Sequence, residues 1–174
     1  MGWAGFMTDV QCDSFLPPRE KIPLETPGIQ YDQAPRPAWD ELSAAERLIL
    51  WSIRALAEGQ SNWSLVQKEL WVCCGPVTIE AVLQSLHETL TVLAVHHRRV
   101  LTVRKLGIPR LSADEVTLLS LIAAAQRGHA SKTEAISRWL VRNNGHEAMM
   151  AAASRFAESL TRSGIRLTLA AANT

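Results

Sequence analysis

The residue types best suited to chemistry in this chain are the adjacent pair Cys73-Cys74 and five histidines. Two neighbouring thiols could form a redox switch or bind a soft metal. A metal site needs further ligands at a fixed spacing, and no second Cys-x-x-Cys occurs. On one helix, His87 and His96 would fall on opposite faces, so they cannot share an ion. We interpret the cysteines as helix-end packing residues and predict neither a metal site nor a cofactor.

Motifs for nucleophilic catalysis or for phosphate-cradling glycine loops are missing from the sequence. No Gly-x-Ser-x-Gly, Gly-x-Gly-x-x-Gly or Gly-x-x-x-x-Gly-Lys pattern occurs. Asp114 and Glu115 stand in a predicted first helical turn, where carboxylates stabilise the helix dipole without any catalytic role. We therefore name no catalytic residue and favour a non-enzymatic function.

A basic segment between His96 and Arg110 contains no acidic residue, although the whole chain has a formal net charge of only +1. Such a cluster can contact phosphate groups electrostatically. Basic residues here could equally complement the C-terminal dipole of the preceding helix and protect a strand edge. The candidate anion or nucleic-acid contacts are His97, Arg98, Arg99, Arg104, Lys105 and Arg110.

A large apolar content is the second notable feature, with 47% hydrophobic residues and six tryptophans. Aromatic side chains often anchor interfaces, although they also fill cores. We predict a homodimer or a complex with another protein. The same side chains could instead line an apolar pocket. The candidates for either role are Leu50, Trp51, Trp71, Leu83, Leu86, Leu90, Leu93, Met149 and Met150.

The elements that would position these residues are predicted from helix signals. Ser-x-x-Glu, the capping-box pattern, occurs at Ser43–Glu46, Ser112–Glu115 and Ser131–Glu134. Gly75-Pro76 separates two helices, and the second has a heptad-like seam from Ile79 to His97. The predicted helices cover residues 42–58, 62–73, 76–96, 112–127, 132–141 and 146–163.

We predict two short strands. Residues 100–103 are mostly β-branched, and residues 165–169 alternate apolar and polar side chains. Residues 1–38 contain six of the eight prolines together with many apolar side chains. We expect an extended arm that packs on the body or on a partner. The fold class is thus mainly all-α, a bundle of about six helices with a two-stranded β accessory. The helical domain is 39–174, with a division into 39–110 and 111–174 as an option.

Location is predicted from cysteine usage and hydropathy. Three cysteines, an odd number, fit a reducing compartment better than a disulfide framework. We find neither a signal-peptide pattern nor an apolar run long enough to span a membrane. The sequence therefore favours the cytoplasm.

The ranking of functions follows from these features. A regulatory or adaptor protein acting through helix-mediated association comes first. A winged-helix-like DNA- or RNA-binding regulator comes second, because two helices, a glycine break, a third helix and a basic segment resemble that arrangement. Its recognition helix would carry Glu80 and no cation before Arg98, which is unfavourable near phosphates. A small enzyme or a carrier of an apolar ligand comes third.

Overall fold

The structure, a computed structural model, describes residues 36–169 and confirms a mainly helical chain. Within this range there is no β-strand, so the predicted two-stranded accessory is not formed there. Single 3₁₀ turns precede three of the helices, at Trp39–Glu41, Gln60–Asn62 and Asn143–Gly145. The helices are α1 (Ala44–Glu58), α2 (Trp63–His96), α3 (Ala113–Gln126), α4 (Ala130–Leu140) and α5 (His146–Arg162).

Capping boxes begin α1 and α3, as predicted. The hydroxyl oxygen of Ser43 accepts the Glu46 N–H at 3.3 Å, and the Ser43 N–H donates to the Glu46 carboxylate at 2.8 Å. Ser112 and Glu115 repeat this exchange at 3.1 and 2.8 Å. Each box satisfies two N–H groups that the helix itself cannot pair.

The third predicted capping box does not form. The helix α4 begins at Ala130 with His129 as its N-cap, so Ser131 lies inside the first turn. The turn after α3 is too short to place Ser131 before the helix, because Gly128 reverses the chain with a φ of 69°. The Glu134 carboxylate instead accepts from Arg138, one helical turn further on, at 2.8 Å.

Two of the predicted helices are joined in α2, which bends at Gly75 (φ 71°, ψ 172°). Pro76 has no N–H to donate to the preceding turn, so the hydrogen-bond ladder is interrupted there. The hydroxyl of Thr78 donates to the Cys74 carbonyl at 2.7 Å and satisfies an acceptor at the bend. The chain therefore breaks at Gly75-Pro76, as the sequence predicted. Because α2 is counted as one helix across this kink, residues 36–169 hold five helices where about six were predicted.

The seam of α2 packs against the chain's own α5, which is the most extensive helix contact in the described range. At its centre the hydroxyl oxygens of Ser85 and Ser159 are 2.8 Å apart and hydrogen-bonded. One hydrophobic cluster contains buried side chains from positions as far apart as Leu42 and Leu167. The parts of the chain before and after residue 110 therefore bury apolar surface together. The buried seam residues are Ile79, Val82, Leu83, Leu86 and Leu93.

The first predicted strand lies in a non-helical segment, residues 98–111, which turns at Leu106–Gly107. Before that turn, its backbone pairs with side chains instead of another strand. The carboxylates of Asp114, Glu115 and Glu58 accept the N–H groups of Thr102, Arg104 and Leu106 at 2.7, 2.9 and 2.7 Å. These donors are spaced two residues apart, as in a strand, because the backbone is extended. The sequence therefore predicted the backbone conformation of this segment, but it did not predict which groups its N–H donors bind.

The second predicted strand, 165–169, is bound in the same way. The side chain of Gln126 donates to the Ile165 carbonyl at 2.8 Å and accepts the Leu167 N–H at 2.9 Å. The carboxylate of Glu46 accepts the N–H groups of Thr168, at 2.8 Å, and of Leu169. Side chains at helix ends thus replace a neighbouring strand at both segments.

The predicted N-terminal arm lies almost entirely outside the described residues, and it stays a prediction. Between residues 36 and 169, none of the helices combines the length and the apolar character that crossing a lipid bilayer requires.

Candidate functional site

The apolar candidates lie mostly inside the body. Five of them pack in the core because α2 lies against both α1 and α5. A role of the set in an interface or an apolar pocket stays a prediction. Leu50, Leu83, Leu86, Leu93 and Met149 are buried, Trp51, Leu90 and Met150 are half-buried, and Trp71 is exposed.

The first arm of α2, before the kink, presents an unusual amount of apolar surface to solvent. Val66 and Leu70 of this arm are buried, and Trp63 and Cys74 are half-buried against the core, while Leu65, Lys68, Glu69, Trp71 and Val72 are exposed. In this arm Trp71 is 49% exposed and Val72 75%, and just beyond the kink Val77 is 91% exposed. We call the following set the exposed α2 face: Leu65, Lys68, Glu69, Trp71, Val72 and Val77.

The two described cysteines border this face but differ in environment. Cys73 is exposed and Cys74 is half-buried. Burial, together with the neighbouring Cys73, raises the pKa of the Cys74 thiol, and a hydrogen bond with Ser163 only partly offsets this. A raised pKa keeps the thiol protonated and unreactive near neutral pH. In the described range, no three His, Cys, Asp or Glu residues are grouped to hold a metal ion.

The basic segment is held in place by two carboxylates at the start of α3. Glu115 binds the fully buried guanidinium of Arg54 with Nε–Oε1 and Nη2–Oε2 distances of 2.8 and 2.9 Å. The same guanidinium donates to the Ile108 carbonyl at 2.6 Å and lies 5.4 Å from the centre of the Trp39 ring. This network fixes the non-helical segment 98–111 against α1 and α3.

Arg99 is largely occupied by contacts within the chain. Its guanidinium donates to both carboxylate oxygens of Asp114, with Nη1 3.1 Å from Oδ2. It also stacks 4.2 Å from the centre of the Trp139 ring. Asp114 therefore neutralises one cation of the basic segment, although the two residues are far apart in sequence.

Arg98 lies in a surface depression that also contains residues from the α4–α5 connection. The depression is lined by Arg98, Arg142, Asn143 and Asn144. Two backbone hydrogen bonds bring the segments together: the Arg98 N–H donates to the Leu140 carbonyl at 3.0 Å, and the Arg142 N–H donates to the His96 carbonyl at 2.8 Å. They form an antiparallel bridge between His97 and Val141.

The remaining basic candidates do not line that depression. His97 is half-buried and its Nδ1 is 2.9 Å from the Ala94 carbonyl oxygen. Arg104, Lys105 and Arg110 are exposed along the non-helical segment. The structure thus divides the six predicted residues. Arg98 lies in the depression, Arg99 is paired with Asp114, His97 is half-buried, and the other three are exposed.

The sequence analysis missed the residues that accompany the two strongest surface features. Arg142, Asn143 and Asn144 are more than forty positions after Arg98, and the backbone bridge at Val141 and the packing of Gly145 on His96 bring them together. Val72 and Val77 were not among the residues predicted for an interface. The signal for Val72 was present as its spacing with Leu65, which places both on one side of a helix.

The arrangement offers two kinds of surface chemistry: an apolar helix face with one cation and one anion, and a cationic depression with amide donors. Comparison with known protein families, with curated proteins and with solved structures finds no match to this chain.

Proposed function

We propose that this chain is a non-enzymatic association module, with a regulatory or adaptor role, that pairs with a second copy of itself through the exposed α2 face. The observation that carries the proposal is the exposure of Leu65, Lys68, Glu69 and Val72. These positions are i, i+3, i+4 and i+7, so they form one stripe along the helix.

This stripe is complementary to itself about a two-fold axis. In an antiparallel pairing of two first arms, Leu65 lies opposite Val72 of the second copy. The same register places Lys68 opposite Glu69 of the second copy, and each contact occurs twice. A dimer with two-fold symmetry uses the same patch on both subunits, so one patch must carry both signs of charge. The stripe carries one residue of each sign.

Apolar surface next to the stripe supplies the driving force. Trp71 lies beside the stripe and Val77 follows the kink, and both are exposed in the single chain. Covering such surface releases it from water, and tryptophan is a frequent anchor of interfaces. Antiparallel helices also place opposite dipole ends together. Because one short helix face buries an area at the low end of specific interfaces, we expect a dissociation constant in the micromolar range.

Sedimentation equilibrium tests this proposal with a matched pair of variants. Val72→Glu places a charge in the stripe and should shift the chain to monomer. Val100→Glu makes the same change at an equally exposed valine, 79% against 75%, outside the face, and should leave the dimer intact. A wild-type chain that is monomeric at all attainable concentrations, or equal behaviour of the two variants, would contradict the proposal.

The other functions considered from the sequence stay predictions. For a winged helix, residues 98–111 would have to provide a wing with paired strands. Here they form an irregular segment that turns at Leu106–Gly107, and its Arg110 makes a single bridge with Ala38. The small enzyme, the carrier of an apolar ligand and the cytoplasmic location all stay predictions, because no further observation supports them.

A further inference from the structure

We propose that the depression lined by Arg98, Arg142, Asn143 and Asn144 is a binding site for a phosphate group. The proposal is independent of the dimer, because none of these residues belongs to the exposed α2 face.

The lining residues supply the donors that an oxyanion requires. Each of the two arginines offers a planar set of N–H groups that can bind two phosphate oxygens at once. The carboxamides of Asn143 and Asn144 add neutral N–H donors. No carboxylate is among the lining residues.

The two arginines differ from nearby arginines in having no acidic partner. Arg99 is paired with Asp114, and Arg138 is paired with Glu134. Among the described residues, neither Arg98 nor Arg142 forms an ion pair. Two like charges in one depression repel each other, so an anion bound between them gains from both.

The depression is held by the backbone and not only by mobile side chains. The hydrogen bonds from Arg98 to Leu140 and from Arg142 to His96 fix the two segments to each other. Gly145, directly after the asparagines, is buried against His96, and a Cβ at Gly145 would lie 2.3 Å from the His96 Cβ. This close approach allows the α4–α5 connection to pack on the end of α2.

A phosphate monoester and the phosphodiester of a single-stranded nucleic acid share this chemistry. Trp139 lies three residues before Arg142 and is exposed, with Arg99 stacked on its ring. Exposed aromatic side chains can stack on bases of single strands. A binding assay can therefore separate the two sources of phosphate.

The test uses the full chain and two probes, inorganic pyrophosphate by calorimetry and a fluorescent single-stranded oligo-dT by anisotropy. Arg98→Gln and Arg142→Gln should each weaken binding by about tenfold. Arg104→Gln removes the same charge from an exposed position outside the depression and should leave binding nearly unchanged. Thermal unfolding of each variant checks that it is folded.

Each possible result of these assays either supports or contradicts the phosphate site. Binding of pyrophosphate that depends on Arg98 and Arg142 supports a small phosphorylated ligand. Tighter binding of the oligonucleotide, weakened further by Trp139→Ala, supports the nucleic-acid source. No binding of either probe would overturn the site, as would equal losses for Arg98→Gln and Arg104→Gln, since the effect would then be only general positive charge.

Discussion

Arg54 and Glu115 form a two-pronged ion pair that is closed off from solvent, with N–O distances of 2.8 and 2.9 Å. The pair joins α1 to α3. Glu115 also accepts the backbone N–H groups of Ser112 and Arg104, at 2.8 and 2.9 Å. A single carboxylate therefore caps a helix, neutralises a buried cation and holds the non-helical segment 98–111.

Glu115→Gln should strongly destabilise the fold. The substitution leaves the Arg54 charge buried without a counter-charge, which costs about 3 kcal/mol or more. Urea unfolding measures the loss. The matched control is Glu134→Gln, which breaks the exposed pair with Arg138 and should cost less than about 0.5 kcal/mol. Equal losses for the two variants would show that the buried pair has no special weight.

Ser112→Ala and Ser131→Ala should differ, although both serines belong to the same sequence pattern. Ser112 is a true N-cap, and its loss should cost about 1 kcal/mol. Ser131 lies within α4, where alanine is the better helix former, so its replacement should be neutral or slightly stabilising. Thermal unfolding of the two variants distinguishes these results. A large loss for Ser131→Ala would mean that α4 begins at the third predicted capping box after all.

The contribution of Glu46 to stability should depend on pH. Burial tends to raise its pKa, but hydrogen bonds with Ser43, Leu169 and Thr168 outweigh that effect, so the pKa is lowered in the folded chain. The stabilisation is complete above the ordinary glutamate pKa of about 4.3. It is lost as the pH falls through the lower folded-state pKa.

Urea unfolding of the wild type and of Glu46→Gln at neutral and acidic pH checks this. The stability advantage of the wild type should be full at neutral pH and should shrink under acidic conditions. An advantage that stays constant across the range would show that the ionised carboxylate is not the stabilising form.

Gly145→Ala should destabilise the chain through lack of space. The φ of Gly145 is −103°, which other residues adopt readily, but the new Cβ would overlap the His96 side chain. Such overpacking costs about 1–3 kcal/mol. Differential scanning calorimetry should show a lower Tm. An unchanged Tm would mean that the α4–α5 connection moves freely away from α2.

The sequence predicted helix positions well because their signals are local. The capping serines Ser43 and Ser112 and the break at Gly75-Pro76 act within one or two turns, and the observed ends of α1, α3 and α5 lie within two residues of those expected. Residues 100–103 and 165–169 were read as strands because alternation reports an extended backbone, whereas pairing depends on distant carboxylates and on Gln126. Arg142 joins Arg98 only through tertiary packing, so no local signal revealed it.

A charge exchange across the exposed α2 face tests self-association most sharply. Lys68→Glu and Glu69→Lys each place like charges opposite one another in the antiparallel pair, and each should weaken the dimer by roughly tenfold. The double variant restores opposite charges, so sedimentation equilibrium should show dimerisation close to that of the wild type. If the loss of dimer affinity in the double variant instead equals the combined losses of the two single variants, the two-fold pairing of this face is contradicted.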